Sequence, residues 1–239
     1  MSLPVTFHEQ AAAFEKLAAT LPLVRAVNFH NTPRARVAEY ERQLEICSRH
    51  FSPVDEDDLD KYLSTGRWHK PKPGMILAFY NGYRDNYDVI FPLLERHGFV
   101  GWFFPSSGFV NTPPAEQLAF AALHTLRTVP NEYADGRYAL SWSELRELDR
   151  AHVVASHTRN HARLALTDTA QLEGEIVGSQ HDFEKNLGHP VRAFASQSGA
   201  AYGEHPAADR LVDAAGYQFV FSNLKIQRLR DHPGSLTRL

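Results

Sequence analysis

Residues 75–105 read MILAFYNGYRDNYDVIFPLLERHGFVGWFFP, and this stretch decides the fold. Met75 to Phe79 are five consecutive apolar residues, the composition of a strand buried on both faces. The run breaks at Tyr80-Asn81-Gly82, where Gly82 permits a turn that a side chain with a Cβ resists. Tyr87, Ile90, Phe91 and Leu94 then recur at helical spacing, and Gly98 stands where a C-cap glycine belongs. A second apolar run, 99–104, follows. Strand, turn, helix and strand within about thirty residues form a βαβ unit, which requires parallel strands. Tyr80 and Asn81 therefore sit at the C-terminal end of the first strand, the end at which α/β folds carry their chemistry.

Working outward, residues 7–21 predict an amphipathic segment with Phe14, Leu17 and Leu21 on one side, and residues 23–29 form a short apolar run ending at His30. Thr32-Pro33 predicts a helix start, and the helix reaches Ser48 with Val37, Tyr40, Leu44 and Cys47 inward. Residues 55–63 predict another helix whose early carboxylates suit its positive end. Beyond Pro105, helices are expected over 115–127 and, from the S-x-x-E capping box at Ser141, to Arg150. Residues 153–156 and 191–195 read as strands, and Asp168 caps a long helix between them that stops at Gly188. A helix over 207–215 and a strand over 217–221 close the regular pattern, and the remaining residues read as a basic, turn-prone tail.

The chain has 239 residues, 43% of them hydrophobic, enough for one domain with a proper core. A net charge of −3 offers no bulk attraction to nucleic acid or an anionic membrane. Cys47 is the single cysteine, so no intrachain disulfide framework exists. No apolar run approaches the ~20 residues of a membrane span, and the first residues lack the pattern of a signal peptide, which makes the cytoplasm the default expectation. Nothing in the chain speaks to oligomeric state.

Two constellations carry chemistry. His157 and His161 are spaced H-x₃-H directly after a strand, a spacing at which two neutral imidazoles can share a Zn²⁺-like ion. The plainer reading of such a pair, in a chain with 13 histidines, is surface or hydrogen-bonded side chains. Tyr80-Asn81 is the second, and by itself it reads equally as a polar strand-to-helix turn. Ser156 beside His157 is not a nucleophile–base pair, because adjacent strand side chains point to opposite faces.

The order of these elements resembles the polysaccharide deacetylases of the NodB-homology type, carbohydrate esterase family four. Such chains read T-F-D-D-G-Y, then D-N-Y, then an A-T-F-F strand; this one reads Ala78-Phe79-Tyr80-Asn81-Gly82-Tyr83, Asp85-Asn86-Tyr87 and Gly101-Trp102-Phe103-Phe104. The motif S-H-[ST]-x-x-H stands intact as Ser156-His157-Thr158-Arg159-Asn160-His161. A third motif, F-A-Y-P-Y-G, appears as Phe194-Ala195-Ser196-Gln197-Ser198-Gly199, and Asn28-Phe29-His30 resembles a Y-H signature near the start of many members. The similarity runs from about residue 22 to 224.

The resemblance implies a distorted (β/α) barrel and metal-assisted hydrolysis of the N-acetyl amide of a carbohydrate or other N-acylated molecule. It places Tyr80 at the position of the catalytic base, and His157, His161 and Asn81 at the positions of the metal ligands. Tyr83, Trp102, Gln197, Ser198 and Tyr202 are candidates for substrate contact, with Trp68 a further stacking surface; for the aromatics, packing in the core is the equal alternative. A histidine acid toward the leaving amine has no clear equivalent; His232 lies in the tail. Where family members carry two aspartates this chain carries Tyr80 and Asn81. A phenol is a poor base near neutrality, and an amide oxygen is a weaker ligand for a dication than a carboxylate. Three readings stay open: an altered hydrolase holding a divalent metal such as Zn²⁺ weakly, a non-catalytic carbohydrate binder, and a protein whose cleft is vestigial.

Overall fold

The computed structural model describes residues 23–166 and 168–229. The expected segment 7–21 and His232 lie outside them. Strand β1 (Val24–Phe29) leads through a 3₁₀ turn into helix α1 (Val37–His50), and a short strand β2 (Ser52–Pro53) precedes α2 (Glu56–Thr65). The βαβ unit follows as β3 (Gly74–Asn81), a π-helical turn, α3 (Phe91–His97) and β4 (Gly101–Pro105). Helices α4 (Ser107–Asn111), α5 (Gln117–Leu123) and α6 (Trp142–Leu148) fill the excursion before β5 (Val153–Val154). Helix α7 (Thr169–Leu187), β6 (Ala193–Ala195), α8 (Pro206–Ala214), β7 (Phe219–Phe221) and β8 (Ile226–Arg228) complete the chain.

The strands run in the order β1-β3-β4-β5, all parallel, with β2 also pairing with β3. A parallel bridge between Ser156 and Phe194 carries the curve on to β6 and β7, and β8 joins β7 antiparallel. No ladder joins β8 back to β1 among the described residues, so the barrel is open along that seam. This is the distorted barrel that the family resemblance implies.

Because strand side chains alternate, the sheet has two apolar faces. Ile76, Ala78, Tyr80, Trp102, Phe104, Val153, Ala193, Phe219 and Phe221 form the cluster inside the barrel. Met75, Leu77, Phe79, Phe103, Val154, Phe194 and Val220 face outward and pack under the helices. Trp102 lies inside, fully buried, with its indole Nε1 donating to the Val54 carbonyl at 2.7 Å and its ring 5.2 Å from that of Phe221. It plugs the barrel and offers no surface for a ligand, so of the two readings open for it core packing holds.

Local departures have local causes. Thr32 does not cap α1: its hydroxyl accepts from Asn86 Nδ2 at 2.9 Å and donates to Asp85 Oδ1 at 3.3 Å, and a 3₁₀ turn over Arg34–Arg36 starts the helix instead. Val37, expected inward, is 42% exposed, since α1 begins at that residue and its buried face is set by Tyr40 and Leu44. The helix expected over 115–127 ends at Leu123, and Thr125 then adopts a φ of 59°. β5, β6 and β7 are shorter than their apolar runs, and β8 forms where only a tail is expected. The capping boxes at Asp55 and Ser141 both form, and Asp168 caps α7 through Gln171 N at 2.9 Å. Gly82, with φ 84°, turns so close to β4 that a Cβ there would lie 2.6 Å from Pro105 Cβ.

Candidate active-site cleft

The barrel strands deliver the motif residues to one rim. Tyr80 ends the inward-facing row of β3, its ring stacked on Phe104 at 4.9 Å, so the plug of the barrel becomes the floor of a cleft. Ser156 turns away: its hydroxyl lies 2.9 Å from that of Ser179 on α7, and no Ser–His dyad forms. His157 turns inward, its ring centroid 5.0 Å from Tyr80 and 5.0 Å from His161. His30, immediately after β1, stands 5.9 Å from the ring of Tyr80 because β1 and β3 pair in register, Phe29 beside Phe79. A cleft of about 250 Å³ results, lined by His30, Tyr80, His157, His161 and the 196–199 loop with Gln197 and Ser198.

The histidines are held in a defined state. His157 Nδ1 lies 2.9 Å from the Ala195 carbonyl, and His161 Nδ1 lies 2.8 Å from the His124 carbonyl. A carbonyl only accepts, so both Nδ1 atoms carry the proton. Burial, followed by the neighbouring His161, lowers the pKa of His157 to about 3. Burial is also the main cause that lowers His161. Both rings are therefore neutral, and each leaves an unprotonated Nε2 while a carbonyl holds its Nδ1–H, the form in which an imidazole binds a metal.

Asn81 ends β3 in the left-handed region at φ 76° and is buried. Its Nδ2 donates to Tyr83 Oη at 3.1 Å, while Oδ1 has no hydrogen-bond partner. A buried carbonyl oxygen without a donor is costly, and a cation satisfies it. The two uncharged Nε2 atoms are donors of the type a borderline cation such as Zn²⁺ takes, whereas Asn81 is not among the residues that line the cleft. Among the described residues no group of three His, Cys, Asp or Glu side chains could hold a metal ion. Tyr80 is desolvated, which pushes its phenol well above the ordinary range, so the hydroxyl keeps its proton and is no base near neutrality.

Backbone strain marks the same place. Asn81, Thr125, Thr158, His161 and Ser198 all have positive φ, between 57° and 76°, and Thr in that region is a genuine outlier. Such strain persists where the surroundings impose it, and it gathers at functional sites.

Of the expected contact residues, Gln197 and Ser198 line the cleft, Gln197 donating to Thr125 Oγ1 at 2.7 Å. Tyr83 and Tyr202 are buried braces: Tyr83 Oη also accepts from Arg127 N at 2.9 Å, and Tyr202 Oη donates to Asp213 at 2.6 Å. Neither is open to stack on a sugar. Trp68 sits at the N-terminal end of β3, against Gly74, away from the cleft altogether. Sequence reasoning gave His30 no role in the cleft and missed His124, whose carbonyl orients His161. The signal for His30 was present, since it ends an apolar run as Tyr80 does. Nothing local marks His124.

Comparison with known proteins accords with this geometry. The family model for polysaccharide deacetylase matches residues 68–220. The chain belongs to the polysaccharide deacetylase family. Over 92 residues it is 30% identical to the poly-beta-1,6-N-acetyl-D-glucosamine N-deacetylase of Escherichia coli K12; these are 38% of this chain and only 12% of that relative's length. The deacetylase PplD of Streptococcus pyogenes, solved in complex with acetate, shares the fold at 16% identity, with a TM-score of 0.67 over 87% of this chain and 88% of that one. IcaB from Ammonifex degensii does so at 19% identity, with a TM-score of 0.60 over 85% and 84%. Among the described residues no helix is long and apolar enough to cross a membrane.

Proposed function

We propose that this family member receives an N-acetylated carbohydrate in the cleft and holds a divalent metal weakly through His157, His161 and Asn81, with hydrolysis of the acetamide much reduced. One observation carries the reading: among the described residues no carboxylate lines the cleft, and Tyr80, at the base position, is kept protonated by burial. A bound metal would supply polarisation of the acyl oxygen and a water of lowered pKa. What the chain itself contributes is the neutral His pair, a phenol that donates toward the acyl group, and the Gln197 and Ser198 wall that orients the sugar. The proton released by the attacking water needs an acceptor. His30, kept basic-side neutral by burial, is the imidazole in the cleft whose ring is not given to metal ligation in this reading. It serves an acetamide poorly without a carboxylate base, because general-base catalysis is worth ~10²–10⁴-fold.

The second reading, a binder without turnover, is favoured by the same missing carboxylate. Acetate release from N-acetylglucosamine oligomers with added Zn²⁺ or Co²⁺ separates the two. The chain as it stands should give little or none, and Tyr80→Asp with Asn81→Asp should recover some. Robust turnover by the unaltered chain would overturn the proposal.

A further inference from the structure

Beside the cleft lies a larger cavity of about 440 Å³, and the two share His161 and Gln197 in their walls. The Gln197–Thr125 hydrogen bond forms the low partition between them. Helix α7 lines the far side with Gly174, where a Cβ would meet nothing within 4 Å. Glycine inside a helix weakens it, so α7 gives up helical stability at the point where the missing side chain leaves the cavity open.

The next residue, Glu175, is 7% exposed and also lines the cavity. Its carboxylate accepts from Asn160 N and Nδ2, both at 2.7 Å, and no cationic side chain pairs with it among the described residues. Arg159, in the same wall, is engaged by Asp182 at 3.1 Å. His124 and His161 also border the cavity. A nearly buried carboxylate thus lines a cavity without a cationic side chain paired to it among the described residues, next door to the cleft. Carboxylates so placed are normally paired.

We propose that this cavity is a subsite for a neighbouring amino sugar of the same oligosaccharide, one whose nitrogen is already a free ammonium, with Glu175 as its acceptor. The proposal rests on the carbohydrate reading of the cleft. An acetamide cannot supply the charge that Glu175 lacks, whereas a deacetylated unit one sugar away can.

The test is calorimetric titration of the full chain at pH about 6, where a primary amine is protonated. The ligands are a β-1,6-linked glucosamine trisaccharide acetylated only on its central unit, the fully acetylated trisaccharide, and the N-acetylglucosamine monosaccharide. The singly acetylated trisaccharide should bind about tenfold tighter than the fully acetylated one, the worth of one charge-assisted hydrogen bond. Glu175→Gln should erase that difference. Gly174→Leu, which favours the helix and fills the cavity, should weaken both trisaccharides and spare the monosaccharide. Equal binding of the two trisaccharides, or trisaccharide affinity unchanged in Gly174→Leu, would overturn the subsite and leave the cleft reading standing. Absence of binding by all three ligands would overturn both.

Discussion

The ring of His161 is fixed by the backbone of His124, Nδ1 to carbonyl oxygen at 2.8 Å, across 37 residues of chain. The donor motif is intact in sequence, but its orientation depends on where α5 stops and how the next residues turn. Thr125, at φ 59°, makes that turn, and Tyr83 Oη anchors it by accepting from Arg127 N. Since Tyr83 Oη also accepts from Asn81 Nδ2, one phenol ties the end of β3 to the support of His161.

Tyr83→Phe should therefore be costly in two ways. It leaves the buried Asn81 Nδ2 without an acceptor, a loss of about 1–3 kcal/mol, and the part-buried Arg127 N–H without its anchor. Urea unfolding should show the destabilisation, and Zn²⁺ affinity should fall because both Asn81 and His161 lose their restraint. Unchanged stability and affinity would mean the phenol is filler.

Asn81→Asp supplies the oxygen charge that the candidate donor set lacks. Zn²⁺ affinity, measured by calorimetric titration of both forms, should rise at least about tenfold, since even outer-shell changes at metal sites are worth 10–100-fold. Equal affinities would show that Asn81 does not contact the ion.

Asp85 gives a pH signature distinct from the cleft. Desolvation raises its pKa from 3.8 to about 6, while Thr32 and Asn86 donate to its Oδ1. The folded chain then holds this proton more tightly than the unfolded chain, so between about pH 4 and 6 stability falls as pH rises. Above about pH 6 the penalty is complete, roughly 1–3 kcal/mol. Asp85→Asn keeps an acceptor oxygen and removes the charge. Its thermal stability should exceed that of the unaltered chain at pH 7 and match it near pH 4. A constant difference across that range would assign the effect to packing.

The sequence by itself determined the βαβ unit, the caps at Ser141 and Asp168, and the H-x₃-H spacing of His157 and His161. Each of these follows from local periodicity or from side chains a few residues apart, where chain connectivity leaves little choice. Tertiary structure decided the rest. Trp102 looks like a stacking surface in sequence and is a plug, because β4 lies between β3 and β5 and its inward row meets Phe221. Tyr83 and Tyr202 became braces because acceptors and donors distant in sequence reach their hydroxyls. His30 entered the cleft through strand register, and His124 oriented His161 through a strained turn. Glu175 came to face a cavity beside the cleft because α7 packs there with a glycine at its side. Long-range contacts of this kind depend on how elements are placed in space, which no window of sequence contains.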